Sequence, residues 1–340
     1  MKNIAVNLYT QADWPSFREY IKRWFQEKYI LGDPRYLAWQ FGDHFYIAKA
    51  GEEVIGHFGF RDLVYKVRDR SLSIRVLMNL FVLKPYRVAG IAALLTKKVF
   101  DTRNPLLVFR YRPVAEKLFL HLRPNWRNFG NFKRYLAILD AQAPLLSKYK
   151  IPDASVKEFK GKDFDINEIS SFTSDFNDLW NRIKARYLIT IERTPEYLAW
   201  RYREQPFFNY KILTAKKDGL LQGYLVWRLE EDQGFRIARI VDLASTIEAE
   251  AVLIREFLAY ARRENASAAD FLLSLKLRER TLASTGFFDV SGTDFENFPT
   301  LFSPISYERP FINIGCDFDM PPESGYFTKA DGDQDRPNPH

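Results

Sequence analysis

The chain has one cysteine, Cys316, and four scattered histidines, His44, His57, His121 and His340. A single thiol excludes an internal disulfide framework and a cysteine-rich zinc site, and so few histidines argue against a structural metal. No apolar run approaches the roughly 18–20 residues of a membrane span, and Met1 to Asn7 lack the apolar stretch of a secretory signal. These shortages are those expected of a cytoplasmic protein that holds no metal. Positive charge exceeds negative, with 50 Lys+Arg against 43 Asp+Glu and a net charge of +7. That balance favours anionic partners: phosphorylated cosubstrates, nucleotide-linked substrates, nucleic acid or acidic lipid. The basic residues form no block like a nucleic-acid-binding tail, which argues against nucleic acid.

What is abundant is length and aromatic surface. At 340 residues the chain exceeds what one hydrophobic core usually supports, so two domains are expected. Its 29 Phe, 18 Tyr and 7 Trp are mostly core material, with a few left to line a pocket for a sugar or an acyl chain.

An internal repeat organises the chain. The run Pro34, Arg35, Tyr36, Leu37, Ala38, Trp39, Gln40, Phe41 returns 161 residues later as Pro195, Glu196, Tyr197, Leu198, Ala199, Trp200, Arg201, Tyr202. In both copies a capping residue, Asp33 or Thr194, precedes a proline at the first helical position, where no amide is needed. Leu37 and Phe41, like Leu198 and Tyr202, lie one turn apart, so each copy predicts a short amphipathic helix. A strand, a glycine turn and a second strand follow in each: Phe45 to Ala48, Gly51, Val54 to Phe60 with Gly56; then Tyr210 to Ala215, Gly219, Leu221 to Leu229 with Gly223. Buried strands come next, Leu77–Leu83 and Phe235–Leu243, then helices near Gly90–Phe100 and Glu248–Arg263. Further strands, Leu106–Arg110 and Phe271–Leu275, and helices, Val114–Leu122 and Arg278–Ser284, close each copy. A longer first helix is expected from Pro15, with Phe17, Ile21, Trp24 and Phe25 on one face. Asp140–Lys160, with Pro144 and Pro152, reads as the linker between domains at residues 1–145 and 160–335. The period is too long for a solenoid and indicates a duplicated domain.

The chemistry-bearing segment is Val82, Leu83, Lys84, Pro85, Tyr86, Arg87, Val88, Ala89, Gly90, Ile91, Ala92. A buried strand runs through Arg-x-x-Gly-x-Ala into a helix. Free amides at a helix N-terminus form an anion cradle, glycine lets a phosphate approach the backbone, and Arg87 and Lys84 add charge. The pattern suits a pyrophosphate and lacks the Lys-Ser/Thr of a P-loop.

These residues resemble the acyl-CoA motif of the GNAT acyltransferase superfamily, Arg/Gln-x-x-Gly-x-Gly/Ala, matched by Arg87, Gly90 and Ala92, with Val82, Pro85 and Arg87 matching the usual lead-in. Leu282, Gly286 and Phe287 match a later family segment in the second copy. The resemblance covers nearly the whole chain and implies an α/β (α+β) fold: two tandem GNAT-like modules, each a mixed, mostly antiparallel sheet flanked by helices. It implies that Leu80, Phe81, Val82, Arg87, Val88, Ala89, Gly90, Ile91 and Ala92 hold the cosubstrate, acetyl-CoA or another acyl-CoA. The Tyr-Leu-x-Trp-Arg-Tyr helix and the terminal Phe327, Thr328, Asp331, Asp333, Asp335 are similar to tandem GNAT proteins of bacterial surface polysaccharide synthesis. The implied activity is N-acylation of a small-molecule amine, an amino sugar or nucleotide-linked amino sugar, by a monomer or homodimer. The alternatives are aminoacyl transfer from charged tRNA to a cell-wall precursor, which does not need the acyl-CoA loop, and a non-catalytic CoA-binding regulator or scaffold.

Two departures from the family matter. The second copy has Ser245, Thr246, Ile247, Glu248, Ala249, Glu250 in place of the loop, with no glycine and two carboxylates that would repel a pyrophosphate. Phe119 stands where many members place a proton-donating tyrosine. The expected proton acceptor is His57, next to Gly56, since imidazole titrates near neutrality; it is equally a core histidine hydrogen-bonded in the sheet. Asn79, polar in an apolar strand, is expected to orient a water or the acceptor, or else to mark a bulge. Asp242 could touch an acceptor or cap a strand end. The acidic run Asp331, Asp333, Asp335 has Arg336 where a calcium loop needs glycine, so no metal is assigned to it.

Overall fold

The computed structural model describes residues 3–25, 29–152, 163–274, 278–302, 305–307, 312–319, 321 and 324–336. The first half runs β1 (Ile4–Leu8), α1 (Trp14–Trp24), α2 (Pro34–Gln40), β2 (Phe45–Ala50), β3 (Glu53–Val67), β4 (Arg70–Val82), α3 (Ile91–Val99), β5 (Leu106–Phe109), α4 (Pro113–Leu122), β6 (Arg127–Asn131) and β7 (Lys133–Ile138). The second runs β8 (Asp165–Ile169), α5 (Asp175–Ile183), β9 (Ile189–Ile191), α6 (Pro195–Tyr202), β10 (Lys211–Lys217), β11 (Leu220–Asp232), β12 (Phe235–Ser245), α7 (Ile247–Arg263), β13 (Ala268–Leu273), α8 (Glu279–Ser284) and β14 (Phe288–Asp289). Four short strands close the chain: β15 (Leu301–Phe302), β16 (Ile305–Ser306), β17 (Asn313–Cys316) and β18 (Gly325–Tyr326).

The repeat has the local structure its residues dictate. Asp33 accepts from the Arg35 amide and Thr194 from the Tyr197 amide, each before a proline that opens its helix. The central pairings β3·β4 and β11·β12 are antiparallel, and the parallel pairs β4·β5 and β12·β13 are bridged by α3 and α7. Gly56 and Gly223 explain one another. A Cβ at Gly56 would lie 2.9 Å from the Phe81 carbonyl oxygen and 3.3 Å from Leu95, and one at Gly223 would lie 2.5 Å from Ser245 Cβ and 2.9 Å from Leu253. In each copy the following helix packs a leucine onto the bare strand.

Both central strands are longer than their apolar runs, because hairpin ends beyond the core still complete the hydrogen-bond ladder. Trp24 departs from expectation. Phe17, Tyr20 and Ile21 form the buried face of α1, whereas Trp24 is 42% exposed. Leu275, expected in a strand, lies outside the described residues, as do residues 153–160 of the expected linker. The start of that segment is not free chain: Ala143 and Leu146 are buried in a satellite core with Phe295, Phe298 and Phe302.

The sheets do not follow the expected division at residues 1–145 and 160–335. One sheet has the order β1-β2-β3-β4-β5-β17-β6, with β9 and β18 added along β3; the other has the order β14-β7-β13-β12-β11-β10-β8. The first half therefore gives β7 to the second sheet, between β13 and β14, and the second half returns β17, between β5 and β6. Unsatisfied strand edges drive the exchange, since each inserted strand satisfies two ladders at once. The repeats are separate in sequence and interlocked in space.

Candidate active site

Strand β4 pairs with β5 over one short stretch, through the couples Arg75–Leu106, Val76–Leu107 and Leu77–Val108. It then runs on to Val82 without β5, which ends at Phe109 and turns away through Arg110 at φ 59°. At the start of this gap β4 bulges: Gly59 faces Met78 and His57 faces Phe81, so Phe58 alone opposes Asn79 and Leu80. Asn79 takes φ 58°, a left-handed conformation that asparagine tolerates better than most residues. A bulge was one of the two readings of Asn79 open from the sequence, and the structure contains it.

Beyond Val82 the chain forms a short 3-10 turn, Lys84–Ala89, and meets α3 at Gly90. Gly90 has φ 73° and ψ 9°, with nothing within 4 Å of an added Cβ, so glycine serves backbone geometry there and leaves open space above the loop. Arg87, Val88, Ala89 and Gly90 are exposed, Val88 to 96%, while Ile91 is buried beneath them and can offer only its amide. The first amides of α3 have no partner within the helix. Arg87 Nε donates to the Val82 carbonyl at 3.0 Å, which ties the loop to the end of β4. The bulge, the gap and the loop before α3 are thus contiguous, and the residues expected from the sequence, Asn79, Leu80, Phe81, Val82, Arg87, Val88, Ala89, Gly90, Ile91 and Ala92, lie along this one stretch of chain.

His57 is close in sequence to this stretch but is not open to it. It is 1% exposed, its Nδ1 is 3.0 Å from the Tyr20 hydroxyl, and Phe17, Phe25, Phe45 and Phe81 surround the ring. Burial first, and the Arg336 guanidinium second, push its imidazole down to about 3. At neutral pH it is neutral and a weak base. This environment suits a packing role beneath the bulge and does not suit the proton acceptor expected from the sequence.

The C-terminal segment supplies what sequence reasoning missed. Gln334 Nε2 donates to the Phe109 carbonyl at 3.3 Å, and Arg336 Nη1 donates to Asn79 Oδ1, so the segment spans the gap from β5 to β4. Tyr29 lies under the Arg336 guanidinium at 6.0 Å, and Tyr36, 1% exposed, is electrostatically coupled to it. The Asn79 Nδ2 and the Tyr36 hydroxyl are buried without hydrogen-bond partners, a state that costs roughly 1–3 kcal/mol each. No local pattern could have joined Arg336 to Asn79 across 257 residues.

The acidic run of this segment is a set of ion pairs. Asp331 pairs with Arg193 at 3.2 Å, Asp333 with Arg336 at 3.2 Å and Asp335 with Arg228 at 2.7 Å. Among the described residues no group of three or more potential ligands is placed to hold a metal ion.

The corresponding region of the second half is filled. Asp242 is fully buried against Arg193 at 3.0 Å and accepts from the Tyr224 hydroxyl, so it touches core and not solvent. Glu250, in the first turn of α7, pairs with buried Arg278, whose Nη2 also donates to the Leu243 carbonyl. Thr246 caps α7 with its own hydroxyl, occupying an amide that a phosphate would use. Phe119 packs on Phe100, Trp126 and Tyr111, and His121 is exposed on its helix. A separate groove of about 240 Å³ lies between α1 and the β2–β3 turn. Glu19, Glu52 and Glu53 outnumber Arg23 in its lining, a net negative charge that does not suit a pyrophosphate.

No protein-family model matches the sequence, and no match is found among curated proteins. Solved structures do match. A GCN5-related N-acetyltransferase from Anabaena variabilis aligns with a TM-score of 0.60 at 12% identity, covering 85% of this chain and 71% of that one. One from Kribbella flavida aligns with a TM-score of 0.55 at 15% identity, covering 81% of this chain and 65% of that one. The fold is therefore that of the GCN5-related N-acetyltransferases, in a two-lobed, duplicated form. Saccharomyces cerevisiae N-myristoyltransferase with bound myristoyl-CoA has the same fold, with a TM-score of 0.59 at 10% identity over 95% of this chain and 80% of that one.

Proposed function

We propose that the protein is an acyl-CoA-dependent N-acyltransferase whose working site lies in the first half. The observation that carries this reading is the continuity of three features: the gap where β4 leaves β5, the bulge at Asn79, and the exposed loop ending at left-handed Gly90. The loop and the start of α3 suit the pyrophosphate, and the gap suits a thin chain reaching inward. The stretch Leu80, Phe81 and Val82, which has no β5 beside it, is then the part of β4 that meets the thioester. The solved structures with this fold include acetyltransferases and a myristoyltransferase holding myristoyl-CoA, so both acetyl-CoA and a longer acyl-CoA are candidates. In the reaction a neutral amine attacks the thioester carbonyl, the C–N bond forms, the C–S bond breaks, and the thiolate takes a proton as it leaves.

The acceptor we favour is an amino sugar, free or nucleotide-linked, as in surface polysaccharide synthesis; the positive net charge and the aromatic content support it. The first half provides the loop, and the second half braces it and supplies the segment that carries Arg336. His57 is assigned to packing under the bulge. A second reading, CoA binding without turnover, is favoured by Phe119, which has no proton to give. Melting curves with CoA, acetyl-CoA and longer acyl-CoAs, followed by thiol-release assays with a panel of amines that includes amino sugars, test both. A saturable shift with thiol release supports the enzyme, a shift without release supports the second reading, and no shift at millimolar CoA species refutes both.

A further inference from the structure

The contact between Arg336 and Asn79 has a chemical consequence that follows from donor inventory alone. A guanidinium carries only donors, so the Asn79 atom facing Arg336 Nη1 must be the carbonyl oxygen Oδ1. The remaining side-chain atom, Nδ2, is therefore a donor, and it is buried with no partner. The backbone beneath it is fixed by the bulge at φ 58°. The guanidinium is itself fixed, by Asp333 Oδ2 at 3.2 Å and by the Tyr29 ring at 6.0 Å. Asn79 thus has one orientation, which leaves a buried, unpartnered N–H two residues beyond Leu77, where the pairing of β4 with β5 ends.

Such a site is selective for charge. An ammonium would meet N–H groups and a guanidinium, so Asn79 does not hold a protonated acceptor. An oxygen that gains negative charge is what the arrangement fits. Burial is the main cause of the depressed imidazole of His57, and the Arg336 guanidinium adds to it.

We propose that Arg336 is a positioning residue: by holding Oδ1 of Asn79 it aims Nδ2 at the acyl oxygen of the thioester, which accepts this hydrogen bond more strongly as the amine adds and the oxygen becomes an oxyanion. The assignment rests on the acyl-CoA reading above. It makes the site a joint product of both halves, since the donor comes from β4 and the group that orients it from the C-terminal segment.

The test uses the full chain with acetyl-CoA and CoA as probes. Arg336→Met, Arg336→Lys, Asn79→Ala and the double variant Asn79→Ala/Arg336→Met are compared by calorimetric Kd for each ligand and by the rate of thiol release, with melting points alongside. Loss of one oxyanion donor typically lowers the rate by about 10²–10³-fold, and Arg336→Met should approach that loss while Kd for CoA is unchanged. Arg336→Lys, which still donates to Oδ1, should recover most of the rate. In the Asn79→Ala background Arg336→Met should add less than about twofold, because it acts through an amide that is gone. The preference for acetyl-CoA over CoA should fall in parallel. If Arg336→Met fails to fold, Asp333→Asn, which loosens the guanidinium, takes its place. Losses that multiply in the double variant, or an Arg336→Met protein with wild-type rate and ligand preference, overturn the proposal while leaving the acyl-CoA reading intact. A wild-type protein that binds neither ligand overturns both.

Discussion

Trp39 and Trp200 stand 161 residues apart, and each donates its indole N–H to the other's carbonyl oxygen, at 2.9 and 3.2 Å, with the rings stacked at 5.2 Å. They occupy the same position of the repeated helix. Arg61 lies over the Trp200 ring at 4.2 Å and Arg201 over the Trp39 ring at 5.3 Å. A contact in which equivalent residues meet reciprocally is the mark of a two-fold interface, here enclosed within one chain. With β7 and β17 exchanged between the sheets, the molecule has the internal geometry of a strand-swapped dimer joined into one polypeptide.

The tryptophan pair should be coupled. Trp39→Leu and Trp200→Leu each remove one indole donor and one half of the stack, so each should cost about 2 kcal/mol. The double variant should cost less than the sum, by about 0.5–1.5 kcal/mol, because the stacking is shared. Chemical denaturation of the four proteins measures this.

Gly90→Glu should abolish acyl-CoA binding without harming the fold. The added side chain enters open space, so packing is spared, but its backbone must hold φ 73° and its carboxylate faces the pyrophosphate. Ile247→Glu, exposed at the start of α7, should leave affinity unchanged. Calorimetry with acetyl-CoA reads both, and a loss of binding in the second variant would place a site in the second half.

His57 should govern part of the acid sensitivity. Its folded value is about 3, below the ordinary value near 6.5. Between these the unfolded chain binds a proton that the folded chain refuses, so stability is present above about 6.5 and is lost as pH falls toward 3. His57→Gln should lower the slope of unfolding free energy against pH by about one proton, or 1.4 kcal/mol per pH unit, between roughly pH 4 and 6. An unchanged slope would mean that the buried imidazole takes up its proton as easily as in the unfolded chain.

Asp335→Ala should destabilise by about 3–5 kcal/mol, the usual cost of stranding one member of a buried ion pair. The Tyr210 hydroxyl loses its partner, and Arg228, which shares Glu230 with Arg239, is left with less than one carboxylate of its own. Because Arg336 is the next residue, the same change should lower acyl-transfer rate more than CoA affinity, which thiol-release kinetics and calorimetry separate.

The periodicity of the repeat, its capping residues and its paired glycines were legible in the sequence because they solve local problems. Asp33 and Thr194 satisfy amides within three residues, Gly90 permits a left-handed turn beside its own helix, and Gly56 and Gly223 clear space for the helix that follows. The turn before Gly90 and the bulge at Asn79 are legible for the same reason. Which strands complete which sheet was decided only in three dimensions, since the backbone hydrogen bonds that hold β7 and β17 in place carry no mark of side-chain identity. The chemistry of imidazole is legible at His57, whereas burial among aromatic rings and the distant Arg336 guanidinium set its basicity. Arg336, in a terminal acidic run, gained its partner only when the tail crossed from β5 to β4. Short-range hydrogen bonds and sterics are written in neighbouring residues, but desolvation and charge pairing depend on what folding brings alongside, and that is a property of the whole chain.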